Sequence, residues 1–169
     1  MSYNRYIFLG YEFLTWLWYV IEKDEGRIPL LEEEIVSLEV GNRIVLEKSQ
    51  KAGVESITIK GDDAGLEEGI LALRKGAVVT ELNLFYKAED NEWHFTIKGE
   101  SLNIANLRPP NTGPIESKKD LEGAVIEKAY LYNEVIRLID KLFKQFIRLR
   151  VSNDWHSKVV PLVRQWIYS

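Results

Sequence analysis

Between Tyr6 and Ile21 the chain reads YIFLGYEFLTWLWYVI, 16 residues in which only Gly10, Glu12 and Thr15 interrupt an apolar run. At 3.6 residues per turn, no face of such a helix is polar, so in water it must be buried by its own domain or by a partner. Spanning a bilayer takes roughly 20 apolar residues. This run is shorter and carries an acid, so it is expected inside a protein and no membrane partner is expected. Arg5 alone precedes it and Glu22-Lys23-Asp24-Glu25 follows, which is not the layout of a secretory signal. The sequence contains no cysteine, which excludes disulfides, thiolate metal sites and a cysteine nucleophile, and points to the cytoplasm.

Charged Glu22 to Arg27 ends the helix, Pro29 opens a connection, and Glu32-Glu33-Glu34 reads as a solvated run. Val36 to Val40 and Arg43 to Lys48 alternate apolar and polar residues around Gly41-Asn42, which predicts a hairpin turned at that pair. Ser56 to Lys60 is a third strand. Asp62-Asp63 can cap a short helix from about Ala64 to Arg74, with Gly76 as its stop. Strands are expected again over Ala77 to Tyr86, Trp93 to Lys98 and Leu102 to Leu107. Pro109-Pro110-Asn-Thr-Gly-Pro114 forces an extended loop.

From about Leu121 to Arg150, Leu131, Val135, Leu138, Leu142, Phe146 and Leu149 repeat at three or four residues, the signature of a long amphipathic helix. A last helix, about Trp155 to Ile167, follows Ser152-Asn153-Asp154, with Asn153 or Asp154 as its cap. The order predicts an α+β fold: an antiparallel sheet with helices packed on one face and long C-terminal helices. One domain over residues 1–169 is expected; a division into 1–60 and 61–169 is the alternative.

Arg137, Lys141, Lys144 and Arg148 stand at i, i+4, i+7 and i+11 of the long helix, within about 60° of arc opposite its apolar stripe. Residues 121–169 carry eight Lys and Arg against five Asp and Glu, a net +3, while residues 1–120 carry 14 against 21, a net −7. A row of cations suits successive phosphates of a nucleic acid, which need charge without base-specific geometry. The competing reading is the solvated face of an amphipathic helix. Arg108, and the pair Arg74-Lys75, are lesser cationic candidates.

Five tryptophans and eight tyrosines suit core packing better than base stacking. A second functional reading places Phe13, Trp16, Trp18 and Trp166 at an oligomer or partner interface, where aromatic residues are favoured. Glu12 is either a buried acid of raised pKa or a carboxylate reaching solvent or a backbone donor. A third reading, Mg²⁺-dependent nuclease chemistry at Asp62, Asp63, Glu67 and Glu68, competes with plain helix capping by those acids. His94 and His156 have no serine or acid at a recognisable spacing, and no Walker A sequence is present. No catalytic residue, metal or cofactor is expected.

Three regions carry a family resemblance. Gly76-Ala-Val-Val-Thr-Glu-Leu-Asn-Leu-Phe85, the strand Trp93-His-Phe-Thr-Ile-Lys98 and Leu102-Asn-Ile-Ala-Asn-Leu-Arg108 together resemble the C-terminal part of the bacterial recombination-associated protein RdgC. The helix Val125 to Ile147 resembles that family's last helix, and Phe8-Leu-Gly-Tyr-Glu-Phe-Leu-Thr-Trp-Leu-Trp18 an aromatic motif of its divergent members. Lys75-Gly76 stand in the reverse of the family's Gly-Lys order. The resemblance implies a non-catalytic protein that binds DNA without sequence preference. It also implies self-association, as a dimer, and a role in restraining recombination.

Overall fold

A computed structural model describes residues 7–61 and 63–169; Tyr6 and the expected cap Asp62 lie outside them. Helix α1, Ile7–Lys23, is buried at every residue from Trp16 to Ile21. Its apolar run is therefore covered within the chain: the sheet lies on one side and C-terminal helices on the other. Each large side chain so buried is worth about 1.5–3 kcal/mol, which makes this helix the centre of the core. Phe13, Trp16 and Trp18, which the second functional reading placed at an interface, are core residues at 0%, 3% and 0% exposure, as the core-packing reading expects. The chain uses its own rings to fill the space under one sheet.

Strands β1, Arg27–Pro29, β2, Ile35–Gln50, and β3, Gly53–Lys60, follow, then helix α2, Asp63–Arg74. After it come β4, Val78–Ala88, β5, Asn91–Lys98, and β6, Asn103–Arg108. They form one antiparallel six-stranded sheet in the order β1-β2-β4-β5-β6, with β3 also paired to β2. Leu82, Leu84 and Tyr86 of β4 and Trp93, Phe95 and Ile97 of β5 point inward. The opposite face carries cross-strand ion pairs such as Arg43 with Glu81 at 3.1 Å and Lys87 with Glu39 at 2.9 Å. One face is apolar and one is wet, as alternation in an antiparallel sheet requires.

The hairpin expected at Gly41-Asn42 does not form; β2 runs straight through it. Pairing with β4 jumps from Val40–Leu84 to Ile44–Leu82, so residues 41–43 oppose Asn83 alone in a bulge. A Cβ on Gly41 would stand 1.9 Å from Asn83 Oδ1, so this glycine serves a close approach and not a turn. The reversal comes at Lys51-Ala52, with the positive φ taken by Gly53 at +134°. A second close approach sets α1 on the sheet, because a Cβ on Gly10 would lie 1.8 Å from the Gly99 carbonyl oxygen.

Helix α3, Lys118–Arg150, is capped by Ser117, whose side chain accepts from the Asp120 backbone N–H at 3.2 Å. Its buried residues run from Leu131 to Phe146, and at Leu131 the carbonyl accepts from Trp93 Nε1 at 2.9 Å. From Lys118 to Tyr130 every residue but Ala124 is exposed. That stretch, about 20 Å of helix at 1.5 Å per residue, projects beyond the core. After Ser152-Asn153-Asp154 the chain makes a π-helical turn, Trp155–Val159, and then α4, Val160–Tyr168. The expected side-chain cap at Asp154 is not made. Pro161 has no N–H and its ring crowds the carbonyl four residues back; the turn before it widens, with the Val160 N–H reaching the Trp155 carbonyl. Buried residues from Phe13 to Trp155 form one hydrophobic cluster. Among the described residues no helix is long and apolar enough to cross a membrane.

Candidate functional site

The row on α3 is built by helix periodicity and lies opposite Leu131, Val135, Leu138 and Leu142, which anchor the helix to the core. Arg137, Lys141, Lys144 and Arg148 are all exposed on it. Three of the four have carboxylate neighbours: Arg137 Nη1 lies 3.5 Å from Glu134, Lys141 Nζ 2.7 Å from Glu34, and Lys144 Nζ 2.8 Å from Asp140. Arg148 makes no ion pair among the described residues. The hydrogen bond from Lys141 to Glu34 raises its ammonium above the usual lysine range. Exposed pairs of this kind are worth about 0–1 kcal/mol and are screened by salt, so a competing phosphate displaces them at small cost.

Glu34 reaches α3 because the chain before it is fastened there. Gln145 Nε2 donates to the Pro29 carbonyl at 3.1 Å, and its Oε1 accepts from the Leu31 N–H at 3.2 Å. The acidic run is thus partly docked on the basic helix, a contact that no local pattern in either segment signals.

Arg108 does not join the row. It ends β6 and shares a hollow with Lys128, which sits about 13 Å along the helix from Arg137 by the rise per residue. Arg74 is spent elsewhere: it donates from Nε to the Ile167 carbonyl and from Nη2 to the Ser169 carbonyl at 2.8 Å, neutralising the C-terminal end of α4. Trp166 packs edge-on against Trp18, ring centroids 5.3 Å apart, and so holds α4 to α1. Glu67 and Glu68 are exposed on α2, where Asp63 is the first residue. His94 Nε2 contacts its strand neighbour Glu92 at 2.5 Å.

A feature the sequence did not signal lies between α1 and α4. Glu12 of α1 accepts from Arg150 Nε at 2.7 Å, and the guanidinium stands 5.4 Å from the centre of the Trp155 ring. Beside them opens a cleft of about 510 Å³ lined by one face of each helix. Glu12 is the one acid within the apolar run Tyr6 to Ile21, a sign that it has a partner, but nothing local placed that partner at Arg150.

Neither a protein-family model nor a curated protein sequence matches the chain.

Proposed function

We propose that this is a non-catalytic cytoplasmic protein that binds DNA through its phosphate backbone, without sequence preference, in the way the resemblance to RdgC implies. The observation that carries this reading is the exposed row Arg137, Lys141, Lys144 and Arg148 on a helix whose other face is anchored in the core. Cations fixed on a rigid helix meet successive phosphates without reordering. The three carboxylates beside them lower the local charge, so binding is expected to be weak and strongly salt-dependent. The test is anisotropy of a labelled duplex and a labelled single strand over a range of salt. The reading expects the logarithm of the affinity to fall linearly with log salt, and expects the log-log slope of Arg137→Gln/Lys144→Gln to drop by about two. Absence of binding at low salt, or an unchanged slope, refutes it.

A second reading, assembly of copies of this chain, rests on a different part of α3. Leu121, Val125, Tyr132 and Ile136 are exposed within about 60° of arc, on the length of helix that largely projects past the core. Light scattering decides between one chain and two.

A further inference from the structure

The DNA-binding reading leaves the α1–α4 cleft without a role. Its volume of about 510 Å³ falls among small-molecule sites, commonly about 300–1,000 Å³. Trp16, Leu73, Ala77, Val160, Val163 and Ile167 supply apolar walls. The cleft has a direction, which α4 fixes. Its start follows the corner where Arg150, Trp155 and His156 sit, while its end is bonded to Arg74 beside Leu73. Among the lining residues, the charged Glu12 and Arg150 stand at the first end, and Leu73, Ala77 and Ile167 at the other.

The charged end is short of anions. Arg150 uses one N–H on Glu12, and its two Nη groups have no partner among the described residues. Arg164, also lining the cleft, makes no ion pair among the described residues. Two guanidinium groups and one carboxylate line the cleft, which leaves its lining net positive. A guanidinium with a free edge takes a carboxylate by two parallel hydrogen bonds. The Trp155 ring fixes Arg150 in place, so little side-chain entropy is lost on binding.

We propose that this cleft binds an amphipathic organic anion of the fatty-acid class. Its carboxylate lies on Arg150 and Arg164, and its aliphatic chain lies along Trp16, Val160, Val163 and Ile167. This site is independent of DNA binding, since none of its residues belongs to the basic row.

The experiment titrates decanoate, below its micelle concentration, into the full chain, followed by calorimetry and tryptophan fluorescence, with decanol as the uncharged control. The expected result is saturable one-to-one binding of decanoate, with decanol at least about tenfold weaker. Arg164→Gln, at an exposed position on α4, is expected to weaken decanoate about tenfold and leave decanol unchanged. Val163→Trp fills the cleft and is expected to abolish binding of both while far-ultraviolet dichroism is unchanged. Absence of saturable binding, many-site binding, equal affinity for decanol, or indifference to Arg164→Gln would each overturn the proposal, as would undiminished binding by a folded Val163→Trp.

Discussion

Glu12 and Arg150, 138 residues apart in sequence, form a part-buried ion pair at 2.7 Å that joins the first helix to the end of the third. The guanidinium also covers the Trp155 ring. The contact thus ties three segments at the point where the chain turns from α3 into α4.

Removing the two partners should have unequal effects. Glu12→Gln keeps the shape and removes a partly solvated charge, so it is expected to cost about 1 kcal/mol in urea denaturation. Arg150→Ala also loses the stem and the ring contact, and is expected to cost about 2 kcal/mol. The double variant should show a coupling of about 0.5–1 kcal/mol; zero coupling would mean the pair adds nothing.

Two glycines should respond in opposite directions. Gly10→Ala places a Cβ 1.8 Å from the Gly99 carbonyl oxygen, and backbone against backbone cannot give way. It is expected to lower stability by about 2–3 kcal/mol as α1 lifts from the sheet. Gly123→Ala in the projecting part of α3 meets nothing within 4 Å and should raise helix stability by about 0.5–1 kcal/mol. Thermal melts of the two variants check both signs.

Alkaline pH should destabilise the fold in part through lysine pairs. Lys141 is raised first by its hydrogen bond to Glu34, and Lys87 first by its hydrogen bond to Glu39, from a usual 10.5. The folded state holds these protons more tightly than the unfolded chain. The contribution is therefore complete below the usual lysine pKa and is lost as pH rises through the raised one. Tyr11 and Tyr86, both raised first by burial, act in the same direction. Wild type is expected to lose more stability above about pH 10.5 than Glu34→Gln/Glu39→Gln; identical pH profiles would exclude the lysine pairs as a source.

If copies associate through α3, Val125→Glu and Ile136→Glu should reduce the mass seen by light scattering to one chain. The two positions are 60% and 55% exposed, so unfolding of the single chain should change by less than about 0.5 kcal/mol. A wild type that is monomeric at high micromolar concentration would end this reading.

Where a pattern is local, the sequence was sufficient. The apolar run of α1, the three-and-four spacing of Leu131 to Phe146, and alternation in β4 and β5 each follow from one period and one buried face. Together they determined an α+β protein with helices on one side of an antiparallel sheet. The basic row on α3 was equally legible, because four residues on a helix need only 3.6-residue geometry to line up.

The tertiary structure decided what depends on partners distant in sequence. Gly41-Asn42 has the chemistry of a turn, yet it became a bulge because Asn83, on another strand, needed the space over Gly41. Phe13, Trp16 and Trp18 suit an interface as well as a core, and only packing against the sheet, Phe146 and Trp166 made them core. Glu34 and Lys141, like Glu12 and Arg150, carry charges whose partners lie more than a hundred residues away. Periodicity encodes which face of an element is apolar; which opposing face meets it, and which charges arrive with it, is fixed only when the chain closes into one core.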